Sequence, residues 1–172
     1  MGHVMLQHQI TEALSALIGL PLWGATRAAN MSMFAFGERR SRLNRKGAEV
    51  EVGDYALHIQ CPWRIVGPDD IVVGSEDRMC LEDESSDWET FKGPSRCEAR
   101  IGVWLTEYAA APLRVERVEG DWVGGFKLLL ERGFVLEAFP ADSVRGVYSE
   151  YWRLFRPGEK SHFVVTAHGV ET

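Results

Sequence analysis

Cysteine is scarce in this chain of 172 residues. The three present, Cys61, Cys80 and Cys97, are odd in number and show no C-x-x-C spacing. Neither a disulfide framework nor a cysteine-rich zinc site is expected from them. Reduced thiols in a cytoplasmic protein are the expectation instead. No stretch approaches the roughly 20 apolar residues of a membrane span, so no membrane partner is expected. The segment Met1-Gly2-His3-Val4-Met5 has no basic region ahead of an apolar one, and no secretory leader is expected. Residues 1–4 read as disordered, or as an upstream start ahead of Met5. Positive charge is not in excess either. Nineteen Lys and Arg stand against 25 Asp and Glu, a formal net charge of -6. Such a balance does not attract phosphate backbones, so no nucleic acid is expected as a partner. A P-loop, a dinucleotide-binding glycine fingerprint, a G-x-S-x-G elbow and H-E-x-x-H are also missing. Their absence removes the common routes to catalysis, and no catalytic residue or cofactor is assigned.

What is present is ordinary globular material. A hydrophobic fraction of 45% and a charged fraction of 26% suffice for a core without metal or disulfide, and residues 1–172 read as one domain. Leu6, Ile10, Ala13, Leu14, Leu17 and Ile18 form a stripe at spacings of three and four, which predicts a helix over 5–18 stopped by Gly19 and Pro21. Ser95 and Glu98 match a capping box ahead of Cys97, Ile101, Trp104, Leu105 and Tyr108, predicting a second helix over 96–109. A short helical turn is compatible with 87–91.

The rest reads as strand. Residues 21–75 carry several, with a break at Pro62, which cannot donate to a ladder. The C-terminal part reads as a β-meander over 113–118, 126–130, 134–139, 151–155 and 163–167. There Glu131-Arg132-Gly133 serves as a tight turn and Gly124-Gly125 marks a close backbone approach. Sequential antiparallel strands with short turns give the class α+β. One twisted sheet and two packed sheets fit equally well.

Two charged segments frame this. Gly37 to Gly47 is a basic loop, and Glu76 to Glu89 is acidic. Each is expected to be solvated, with attraction between them as an alternative.

The histidines offer no local metal pair. His162 and His168 would lie roughly 20 Å apart on a continuous strand at about 3.3 Å per residue, and His58 and Cys61 would point to opposite faces. The segment around His58 carries the most chemistry. Tyr55, Leu57, Ile59 and Cys61 alternate with Ala56, His58 and Gln60, and Trp63-Arg64 follows the break at Pro62. Together His58, Gln60, Trp63 and Arg64 supply donors, an acceptor, a flat apolar surface and a positive charge, suited to an anion or a peptide carboxylate. The competing reading is structural. In it His58 and Gln60 satisfy neighbouring groups, Trp63 packs, and Arg64 pairs with an acid of the 76–89 stretch.

The phrases Leu57-His-Ile-Gln-Cys-Pro-Trp-Arg-Ile65 and Glu150-Tyr-Trp-Arg-Leu-Phe155 resemble those of a family of small uncharacterised bacterial proteins. In build alone the chain is also similar to immunity proteins of bacterial toxin systems. That similarity implies a non-enzymatic interaction module acting on another protein. A ligand site or enzyme centred on His58, Gln60 and Arg64 is the alternative.

Overall fold

The structure, a computed structural model, describes residues 2–172. Met1, one of the two starts considered, lies outside the described residues. The first stripe forms helix α1 (Gly2–Leu14), tightened into a 3-10 turn over Ser15–Leu17. Gly2–Val4 belongs to this helix. Ile10, Leu14 and Leu17 are fully buried.

The strands build two sheets and a hairpin. The six-stranded sheet runs, in spatial order, β1 (Leu22–Ala28), β2 (Met31–Phe36), β5 (Tyr55–Ile59), β11 (Glu150–Phe155), β12 (His162–Thr166) and β13 (Gly169–Glu171). The five-stranded sheet runs β7 (Ile71–Gly74), β6 (Trp63–Val66), β10 (Val135–Ala138), β9 (Phe126–Leu130) and β8 (Val115–Gly120). The hairpin is β3 (Arg40–Leu43) with β4 (Glu49–Val52). All named strands pair antiparallel, and the class is α+β.

The two-sheet alternative holds, and it divides the expected meander. β8, β9 and β10 stay in one sheet, whereas β11 and β12 join the other. The chain also changes sheet between β5 and β6. Gln60 and Cys61 both donate their backbone N–H to the Tyr151 carbonyl, at 2.8 and 3.1 Å, and Pro62 then accepts from Phe139 N–H at 2.9 Å. Proline thus sits where the ladder ends, in keeping with its missing donor.

The core fills the space between the sheets, and one tryptophan from each spans it. Trp63 of β6 meets Phe34 of β2 edge to face at 5.1 Å and donates its indole N–H to Ser32 Oγ at 3.0 Å. Trp152 of β11 meets Phe126 of β9 edge to face at 4.9 Å and donates to the Gly124 carbonyl at 2.7 Å. Gly124 has φ +100°, a conformation that glycine adopts without steric cost.

The helices close opposite edges of the five-stranded sheet. α1 lies on β8, where a Cβ at Gly120 would come within 2.6 Å of Ile10; only glycine allows this approach. Helix α2 (Arg96–Glu107) lies by β7 and starts at the expected capping box. Glu98 N–H donates to Ser95 Oγ at 3.3 Å, and Ser95 N–H donates to Glu98 Oε2 at 2.9 Å. Glu98 also accepts from Arg27 of β1 at 2.9 Å, so the cap ties α2 to the six-stranded sheet.

Among the described residues the two charged segments do not pair with each other. Arg39 pairs with Glu51 of β4 and Arg40 with Asp54 just past the hairpin, while Glu82 and Glu84 pair with Arg100 and Arg96 of α2. The basic segment is not a bare loop, since its middle forms β3. Among the described residues no helix is long and apolar enough to cross a membrane.

Candidate functional site

Alternation along β5 sends Leu57 and Ile59 into the core and turns Ala56 and His58 outward. Along β6 the same rule buries Trp63 and Ile65 and turns Arg64 outward. Because β5 and β6 belong to different sheets, His58 and Arg64 stand on different outer faces. The four residues singled out from sequence are therefore not one constellation. Trp63 is a core residue, 2% exposed.

Arg64 pairs with Glu137 on the adjacent β10, rather than with an acid of the 76–89 stretch, and lies 5.5 Å from the Phe139 ring centroid. Register continues the row. Arg64 is opposite Glu137, Glu137 opposite Lys127, and Lys127 opposite Glu119. Charges of alternating sign thus cross the outer face of the five-stranded sheet, the arrangement that favours cross-strand pairs.

Gln60 and His58 remain beside each other, next to a second charged group. Arg153 of β11 is opposite His58. It holds Glu150 through both carboxylate oxygens, Nε at 2.7 Å and Nη2 closer still, and its Nη1 lies 3.2 Å from His162 Nδ1. The hydrogen bond from Arg153 keeps the Glu150 carboxyl below the ordinary range, and Gln60 adds to this. The Phe155 ring stacks on His162 at 4.2 Å and meets His58 edge-on at 4.7 Å. Burial, then the nearby Arg153 charge, push the His58 imidazole down from 6.5 to about 4, so it is neutral at physiological pH. Among the described residues the His58 ring makes no hydrogen bond; its backbone lies in the ladder between Met33 and Arg153.

The β3–β4 hairpin overhangs this face and turns it into a cleft of about 570 Å³. Met33, Ala35, Ala56 and Phe155 give it an apolar floor. His58 stands at one side, and Arg42, Asn44 and Arg45 come from the hairpin. Sequence reasoning missed this meeting of the basic segment with the His58 face. The signal was there in the glycine-bounded Arg-rich turn, but the fold-back of a hairpin over a sheet is a tertiary fact.

A second concavity, of about 700 Å³, lies near the other end of β11, lined by Met5, Trp122, Val123, Pro140 and Arg145 among others. The loop that carries Val147 and Tyr148, 91% and 95% exposed, contributes Pro140, Asp142, Ser143 and Arg145 to its lining. A third, of about 520 Å³, lies between α2 and the β6–β7 turn. Its aromatic wall is Trp104, Tyr108 and Phe134, which meet one another edge to face at 5.5–6.1 Å.

Burial raises the Cys61 thiol to about 12 and the Cys97 thiol to about 11, so neither is a thiolate near neutral pH. Among the described residues no three His, Cys, Asp or Glu side chains converge as metal ligands. Comparison with known proteins returns no matching family model, no matching curated protein and no matching solved structure.

Proposed function

We propose that this chain is a non-enzymatic protein-interaction module that binds another protein through the apolar end of the molecule. One observation carries this reading. Of the fifteen exposed large hydrophobic side chains among the described residues, eight lie in three segments: Val4 and Met5, Trp122 and Val123, and Phe139 to Tyr148. Each segment contributes to the lining of the 700 Å³ concavity, the first through Met5, the second through Trp122 and Val123, and the third through Pro140, Asp142, Ser143 and Arg145. Scattered apolar residues on a surface are ordinary, but a gathered patch marks an interaction site. The loop carrying Val144, Val147 and Tyr148 is anchored by Arg145, whose guanidinium donates to the Ala167 carbonyl at 3.0 and 3.2 Å. Its apolar side chains are thus presented from a held loop. Occlusion of a partner by such a surface is the mode of immunity proteins, and the three unbridged cysteines suit a reducing bacterial cytoplasm.

The test is a comparative capture with three baits: the wild-type chain, a Val147→Asp/Tyr148→Asp double variant, and Arg64→Ala. The wild-type and Arg64→Ala baits should retain a common protein that the double variant loses. Equal recovery on all three would refute the placement of the interface.

A further inference from the structure

The cleft beneath the hairpin has a different chemistry from the apolar end, and its role does not rest on the interface proposed there. We propose that it is a binding site for a small organic anion, a carboxylate or phosphate monoester carried on an aromatic body.

Three observations converge on this ligand class. The first is uncompensated charge. Arg39 and Arg40, at the base of the hairpin, are matched by Glu51 and Asp54. Arg42 and Arg45 line the cleft together with Glu51, whose carboxylate is taken up by Arg39, and their own side chains form no ion pair or hydrogen bond among the described residues. Guanidinium groups recognise carboxylate and phosphate through parallel N–H donors. The second is a set of unused polar atoms at the same place. His58 is neutral and carries one donor and one acceptor nitrogen, neither hydrogen-bonded among the described residues. Asn44 uses its side-chain oxygen to accept from Lys46 and Ala48 N–H, at 2.9 and 3.0 Å, which leaves its amide donors for the cleft. The third is the floor, where Met33, Ala35, Ala56 and the Phe155 ring provide an apolar bed for a ring below the charged rim. A volume of about 570 Å³ falls within the usual range of ligand pockets. Two arginines in a chain of net charge -6 are too few to hold a polyanion, since the rest of the surface repels it.

The closing experiment uses phenyl phosphate as the probe. Inorganic phosphate tests charge without the ring, and benzyl alcohol the ring without charge. Binding is followed by calorimetry and by the shift in melting temperature with ligand concentration. Phenyl phosphate should bind more tightly than either control. Arg42→Ala/Arg45→Ala should weaken it about tenfold or more, and His58→Gln should weaken it less. Arg64→Ala, on the other sheet, should leave it unchanged. Melting curves of the free variants establish that each is folded before its affinity is compared. The proposal is overturned by any of three results with folded variants: no binding of phenyl phosphate at millimolar concentration, equal affinity for inorganic phosphate, or undiminished binding by the double arginine variant.

Discussion

The two sheets are alike inside and unlike outside. Each sends one tryptophan across the core to an aromatic ring of the other, and each tryptophan has its indole N–H satisfied there. Their outer faces diverge. On the five-stranded sheet Arg64, Glu137, Lys127 and Glu119 alternate in sign across neighbouring strands and compensate one another. On the six-stranded sheet the corresponding step holds Met33, His58, Arg153 and Val164. Here Arg153 is neutralised by Glu150 on its own strand, while His58 and the overhanging Arg42 and Arg45 keep unused hydrogen-bonding capacity. A face whose charges are matched within the fold has structural work. A face whose donors are left over beside an apolar floor is prepared for something outside the fold.

The largest expected effect probes the likeness of the interiors. Trp63→Ala and Trp152→Ala should each cost about 3–5 kcal/mol in denaturant unfolding. A much smaller loss at one of them would show that the sheets do not share the core equally.

A middle-sized effect concerns pH. The folded His58 has its pKa lowered from 6.5 to about 4, so the unfolded chain binds the extra proton between those values. Stability from this group is therefore full above about pH 6.5 and falls away as pH drops towards 4. With partial exposure of the ring discounted for solvent screening, the loss should be about 1–2 kcal/mol. Glu150, also lowered, acts in the same direction at more acid pH. Urea midpoints across this range should show a slope that His58→Gln flattens, and an unchanged slope would mean that His58 is not held neutral.

On the opposite face, Arg64→Ala should cost about 1 kcal/mol. Its side chain is 44% exposed, and Lys127, at 3.8 Å, remains beside Glu137. Loss of a buried pair's usual 3–5 kcal/mol would contradict this. The smallest change is expected for Arg42→Ala, within about 0.5 kcal/mol in the same urea assay, because no partner in the fold is lost.

Much of the fold was legible in the sequence. The stripe from Leu6 to Ile18, the Ser95–Glu98 box and the alternation in Tyr55–Cys61 are local patterns with local causes, and the structure follows them except at Ile18, which lies past the helical turns and is 48% exposed. Pro62 was legible as a break, though not as the point where the chain changes sheet, because proline marks the end of a ladder and not where the chain goes next. The site was less legible. His58 was read correctly as outward-facing. Arg64 was grouped with it because the two are near in sequence, yet the crossover at Gln60–Pro62 sends them to different sheets. Arg42 and Arg45 were read as solvated charge, since nothing local reveals that a hairpin folds back over a sheet. The exposed loop carrying Val147 and Tyr148 was passed over, because exposure depends on packing partners distant in the chain.

The difference between the two outer faces can be read most directly by NMR, following the side-chain signals of His58, Arg42, Arg64 and Lys127 during titration with phenyl phosphate. Saturable shifts at His58 and Arg42, with Arg64 and Lys127 unmoved, are the predicted result. Equal shifts on both faces, or none at His58 and Arg42, would contradict it.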